Sequence, residues 1–160
     1  MPDQDYMIQV MKETLNAVFT ARNGKDWPTP GLAIFGPKVM LINGWSGSGG
    51  DAFPDYFRRK KLGPLIGART WGGLIGISGV PGLVDGGGVT VPTFRMYNPD
   101  GTWFREGHGV DPDIAVPEDL SMMAKGKDPQ LEKGIEEIKT LLKTKGYNAP
   151  ARPGFEKKAY

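Results

Sequence analysis

Two hydroxyl side chains, Ser46 and Ser48, stand among glycines in the stretch LINGWSGSGGDAF, Leu41 to Phe53. The stretch follows a strand-like apolar run and ends in an acid. A strand, a glycine-rich turn and then a helix can lift a nucleophile off a sheet edge. The helix start adds unpaired N–H groups and the positive end of its dipole. In that arrangement Ser48 is the nucleophile and the Gly49 N–H holds a developing oxyanion. Asp51 would cap the helix. Two other readings of the same residues stay open: a loop whose N–H groups bind an anion, and a plain structural turn. The pattern is not a Walker A loop, since no Gly-Lys-Ser/Thr follows. Nor is it a G-x-S-x-G elbow with the usual partners.

A nucleophilic serine needs a base, and the chain has one histidine, His108, in REGHGVDPD. Glu106 lies two residues before it, on the same side of an extended strand. A Ser48–His108–Glu106 triad is conceivable but awkward, because two strand neighbours would have to fold onto each other. A surface residue in a glycine-rich loop is the plainer reading of His108. Trp71, in RTWGG, is a candidate wall of a substrate cleft or simple packing. Arg69 is a candidate partner for an acid or peptide terminus, or a surface residue. Asp111 and Asp113 flank Pro112 and read as turn chemistry. One histidine and scattered acids give no metal-ligand set, and no cofactor is implied.

The elements that must position these groups are short. Met7, Ile8, Met11, Leu15, Val18 and Phe19 fit one face of a helix over 5–19. RNGKDWPTPG, residues 22–31, reads as loop. Val39–Ile42 reads as a buried strand, and Asp51–Leu62 as a helix with Pro54 tolerated only in its first turn. Leu65-Ile66 opens a second strand. Residues 70–88 read as loop with short extended pieces. Val89–Phe94 reads as an edge strand, given Pro92. Residues 96–104 read as a hairpin turning at Asn98 to Gly101, and GHGVDPDIAV as an irregular crossing. Leu131, Ile135, Ile138 and Leu141-Leu142 mark a helix over 129–143. The order implies an α/β fold of short strands and glycine-rich connections.

The 160 residues suit one domain. With 39% hydrophobic and 24% charged residues, the chain is globular in composition. The 24 glycines and 14 prolines put much of the backbone in turns and argue against a helical bundle. A net charge of +2 is too small to imply a nucleic-acid partner. The dense patch Arg58-Arg59-Lys60-Lys61 suits the solvated C-terminal end of a helix. The absence of cysteine excludes disulfides and thiol catalysis. No apolar run reaches the ~20 residues of a membrane span, and the N-terminal residues carry no signal pattern. As written, the chain is expected to be cytoplasmic and to bind neither nucleic acid nor membrane.

Four separated blocks carry a resemblance: VMLINGWSGSGGDAFPDYFRRKKLGPLIGARTWGGLIGISG, LVDGGGVTVPTF, EGHGVDPDIAV and GKDPQLEKGIEEI. Together they resemble the C-terminal half of the catalytic core of tricorn-type serine peptidases, relatives of the C-terminal processing peptidases. The resemblance covers roughly residues 38–142, with the 5–19 helix as its continuation, and implies a partial ClpP/crotonase-like β-β-α core over 1–145; the polar, proline-bearing residues 146–160 read as a loose tail. It implies Ser48 as nucleophile and the Gly49 N–H as oxyanion donor, although the family commonly has Asp at that position. It also implies Glu106 as the acid that orients the site, through a serine beside the catalytic histidine. His108 falls on the variable position of the E-G-x-G-V-x-P-D block. The family's histidine and its second oxyanion donor lie upstream and have no counterpart here. The implied function is hydrolysis of peptide bonds by a nucleophile-bearing half-site, almost inactive alone. The implied partners are a peptide substrate and either the N-terminal part of the same peptidase or further copies of the chain. The rival expectation is a non-catalytic or degenerate binding module.

Overall fold

The computed structural model describes residues 2–77 and 82–154. Its element order is α1 (Pro2–Lys12), β1 (Ala17–Phe19), β2 (Trp27–Thr29), β3 (Met40–Ile42), α2 (Gly49–Arg59), β4 (Leu65–Gly67), β5 (Ile114–Ala115), α3 (Leu120–Met123) and α4 (Pro129–Lys145). The organising unit is β3–α2–β4. Met40 pairs with Leu65 and Ile42 with Gly67 in parallel register, with α2 as the crossover. β5 adds in parallel on the far side of β4. β4 is therefore central, and β3 has no second neighbour among the described residues. Leu65 and Ile66 are fully buried, as expected for the middle of a parallel sheet.

The core gathers Ile8 of α1, Ile42 of β3, Ala52 and Phe57 of α2, and Leu65 of β4, with Leu74, Phe104 and Val110 from the long β4–β5 connection. On the other side, α4 packs against β3 and β4. There Gln130 is buried and donates to the Val116 carbonyl. Asp128 caps α4 by accepting from the Gln130 and Leu131 N–H groups.

Several elements differ from expectation. The first helix stops at Lys12, and Val18 and Phe19 lie in β1 instead. β1 pairs antiparallel with β2 inside the stretch expected to be loop, with Val18 opposite Pro28. Phe19 stacks on Trp27 at 5.8 Å, and a free edge accommodates the proline. α2 starts at Gly49, so Pro54 falls in its second turn rather than its first. Val89–Phe94 is not a strand. Its pairing is confined to the Thr93-Phe94 end, where Phe94 forms an isolated bridge to Gly76 and the Thr93 N–H donates to the Gly76 carbonyl. Residues 96–104 do turn back, with Tyr97 bridging Trp103 and the Gly101 N–H donating to Asn98. The expected irregular crossing contains β5. Its entry is fixed by Asp113, whose carboxylate accepts from the Leu65 N–H at 2.8 Å and pairs with Arg58 at 2.9 Å. Past α4, Tyr147 stacks on Phe35 and Arg152 donates to the Ala21 carbonyl. Residues 78–81 of the expected 70–88 loop, and 155–160 of the tail, lie outside the described residues.

Candidate active site

The site is built at the carboxyl end of β3, where open α/β sheets present ligand-binding residues. After Ile42 the chain turns at Asn43, whose side chain accepts from the Trp45 N–H. It then enters the Ser46–Gly50 turn. Ser48 is exposed and has φ 53° and ψ −107°, a backbone state that non-glycine residues rarely adopt. It is the residue before α2, yet its side chain makes no capping hydrogen bond. Its hydroxyl is therefore not spent on the helix, as an N-cap serine normally would be.

Neighbouring backbone holds this turn on both sides. The Ser48 N–H donates to the Gly73 carbonyl at 3.0 Å, and the Trp71 N–H donates to the Ser46 carbonyl at 2.8 Å. Inside α2, the Gly50 N–H reaches Gly47, and those of Asp51 and Ala52 reach the Ser48 carbonyl. The Gly49 N–H is given no acceptor by any described residue. A free amide beside the serine, at a helix start, is the right kind of donor for an oxyanion.

Asp51 does not cap α2. It is fully buried, and its Oδ1 accepts from the Gly72 N–H at 2.7 Å while Oδ2 has no partner. It ties the first turn of α2 to the 71–75 segment across 21 positions of sequence. The sequence placed this acid at the site but gave no sign of its distant acceptor role.

Glu106 lies on the other side of the same segment. Its Oε2 accepts from the Leu74 N–H at 2.9 Å and the Ile75 N–H at 3.1 Å. Gly73, the acceptor for Ser48, immediately precedes these two residues. Glu106 therefore grips the strip that grips Ser48. Close backbone approach makes this possible. A Cβ on Gly72 (φ +93°) would come within 2.7 Å of the His108 backbone, and one on Gly109 (φ +79°) within 2.6 Å of the Thr70 carbonyl. Buried Thr70 completes the contact, its Oγ1 accepting from the Val110 N–H at 2.8 Å.

His108 is committed elsewhere. Its Nε2 lies 2.7 Å from Asp111 Oδ2, and its carbonyl accepts from Arg69. The hydrogen bond from His108 holds the Asp111 carboxyl below the usual carboxylate range, and the charges of Arg105 and Arg69 add to this. No hydrogen bond joins Ser48, His108 and Glu106 into a triad among the described residues. Arg69 is an exposed residue clamping the 106–110 loop.

Trp71 is 66% exposed, and its ring lies over Gly47 and Gly73, the two glycines flanking the Ser48 contact. Trp45 is 87% exposed on the other arm of the turn. That second indole was present in the opening stretch, but nothing in its spacing marked it. Among the described residues, no cluster of three or more His, Cys, Asp or Glu could hold a metal ion. No described helix is long and apolar enough to cross a membrane.

Comparison with known proteins places the chain in a family. Residues 5–116 match peptidase family S41. The chain is similar to a Sulfurisphaera tokodaii protein named as a tricorn-like protease C-terminal subunit, 46% identical over 72% of this chain and 14% of that one. It is also similar to the tricorn protease of Thermoplasma acidophilum, 36% identical over 82% of this chain and 12% of the relative. The crystal structure of the tricorn protease superposes with a TM-score of 0.80 at 33% identity, covering 86% of this chain and 14% of that one. The chain thus spans about a seventh or less of the length of these relatives. The match over 5–116 takes in β3, the Ser48 turn, the 71–75 strip and Glu106, and on it the chain belongs to peptidase family S41.

Proposed function

We propose that this chain carries the nucleophile half of a serine endopeptidase-type site, with Ser48 as nucleophile, the Gly49 N–H as oxyanion donor and Glu106 as positioning residue. One observation carries the proposal: an exposed serine held at φ 53° between β3 and α2, its side chain uncommitted, beside a free amide. Ser48 Oγ attacks a peptide carbonyl carbon and gives its proton to a base. The carbonyl oxygen becomes the oxyanion, stabilised by the Gly49 N–H. As the C–N bond breaks, the leaving amine takes the proton back, and water then hydrolyses the acyl-enzyme. His108 is the only histidine of the 160 residues, and its ring is paired with Asp111. The base therefore comes from polypeptide outside this sequence. Trp71 and Arg69 border the substrate cleft. The fold that goes with this reading is part of a ClpP/crotonase-like core over 1–145, with 146–160 as a tail. Peptide is the substrate.

A fluorophosphonate probe followed by peptide mapping tests the assignment. Labelling should fall on Ser48, not Ser46, and be slow in the isolated chain. It should accelerate when polypeptide corresponding to the upstream part of a tricorn relative is added. Labelling of Ser46 instead would refute the nucleophile, and an enzyme-like rate in the chain alone would refute the half-site.

A second reading, as an assembly module without catalysis, is favoured by one feature. Among the described residues β3 has no second neighbour, and beside it lies an apolar cavity of about 560 Å³ lined by Met11, Leu41, Phe53, Leu131, Ile135 and Ile138. Both readings call for a partner there, either the upstream part of the peptidase or a second copy. Only the first predicts probe on Ser48.

A further inference from the structure

We infer that the groove at the C-terminal ends of α1, α2 and α4 binds an acidic segment of polypeptide with apolar residues among its carboxylates. It lies at the opposite end of α2 from Ser48, about 16 Å away for a helix of this length. It stands whether or not Ser48 is a nucleophile. Two hollows of about 510 and 380 Å³ adjoin there and share Gly36, Lys38, Lys61 and Leu62 in their walls. Lys12, Lys38, Lys60, Lys61 and Lys145 line them, and Glu13 is the only acid among the described residues that does. This excess of four cations, five less one, is larger than the formal net charge of the whole chain, +2. Among the described residues, none of the five lysines pairs with a carboxylate.

Helix ends account for part of this. A helix C-terminus favours a cation beside it, and Lys12, Lys60 and Lys145 stand at such ends. Two lysines are left over. Lys38 lies in the loop before β3 and is half-buried, with its Nζ donating to the Gly36 carbonyl at 3.0 Å. Burial pushes its ammonium pKa below the ordinary lysine value. Lys61 has φ 55°. Its N–H donates to the Arg58 carbonyl and the Leu62 N–H to that of Phe57, a helix ending whose left-handed residue is usually glycine. Lysine at that place costs the fold and leaves its charge exposed without a partner.

Floor and rim together select the occupant. Met11, Leu15, Phe35 and Leu62 are half-buried and make an apolar floor. Three helices bring the negative ends of their dipoles to it, which opposes a compact phosphate seated deep in the groove. Lysine is a point charge on a flexible stem. It reaches carboxylates spaced along the rim while apolar side chains fill the floor. A polypeptide with both kinds of residue satisfies the whole groove, whereas a polyphosphate or a nucleic acid satisfies the rim alone.

The test is fluorescence anisotropy with the full chain and a fluorescein-labelled peptide alternating Glu and Leu. That peptide should bind at least tenfold more tightly than one with Gln for Glu, and more tightly than one with Gly for Leu or than inorganic polyphosphate. Its affinity should fall as salt rises. Lys61→Gly separates binding from folding: it should raise the thermal unfolding midpoint yet weaken binding about fivefold. Adding Lys38→Gln should take the loss to about tenfold or more, and Lys125→Gln, outside the groove, should change nothing. In 15N spectra the amides of Gly36, Lys61 and Leu62 should shift on titration and that of Gly49 should not. Those shifts decide the matter if a variant is unfolded. Equal binding of the Gln peptide, tighter binding of polyphosphate or of an oligonucleotide, undiminished binding by Lys61→Gly, or shifts at Gly49 in place of Lys61 overturns the inference.

Discussion

Ser48 occupies a backbone state that costs about 1–3 kcal/mol for a residue with a Cβ. Glycine adopts it freely but loses more entropy on folding, about 0.5–1 kcal/mol. Ser48→Gly should therefore raise the unfolding free energy by about 1 kcal/mol in chemical denaturation and abolish labelling. A gain in stability with loss of reactivity would mark strain kept for function. Glu106 makes the opposite prediction. Glu106→Ala strips two backbone N–H groups of their acceptor and should cost about 2 kcal/mol. Labelling of Ser48 should slow because the 71–75 strip loosens. Glu106→Gln keeps an acceptor oxygen and should recover most of both losses. Ser48 and Gly49 could be singled out from their glycine-rich turn, whereas the positioning role proposed for Glu106 came from the family resemblance and not from its local pattern. Asp51 was legible as an acid beside the site but not as the partner of Gly72, because nothing local encodes a contact 21 positions away.

Among the elements, α4 and α2 announce themselves by spacing and charge, and both are present with shifted ends. The break between α1 and β1 was hidden. Leu15, Val18 and Phe19 continue the helical apolar period, yet the β-hairpin with Trp27–Thr29 takes the last two. A tertiary partner overrode the local pattern there. β5 was hidden for a related reason: two residues carry no period, and its strand character comes from docking on β4. Asp128→Ala tests the N-terminus of α4 and should lower stability by about 1 kcal/mol, read by thermal unfolding. The His108–Asp111 pair fastens the loop that leads into β5. Because the folded Asp111 carboxyl titrates below its unfolded range, its contribution is complete above the unfolded value, about 3.9, and fades as pH falls through the folded one. Asp111→Asn should therefore narrow the stability difference between neutral and acid pH, by a small amount because the pair is open to solvent.

At the scale of the molecule, the edge of β3, unpaired among the described residues, and the apolar cavity beside it make association the expected behaviour. Leu41 is 41% exposed on that edge. Leu41→Lys should weaken binding of upstream peptidase polypeptide, or self-association, as read by sedimentation, while leaving the Ser48 turn in place. No composition statistic could announce this edge, because it depends on which strands share the sheet. The floor of the site has a further consequence. Where the 70–73 and 108–110 segments meet, main chain lies on main chain, with Gly72 and Gly109 leaving no room for even a methyl group. The rim is different: Trp45, Trp71 and Arg69 are exposed side chains. Mutational drift is thus partitioned, frozen beneath the serine and permissive around it. Under the proposed peptidase reading, new substrate preferences can accumulate along the rim while the segments underneath stay as they are.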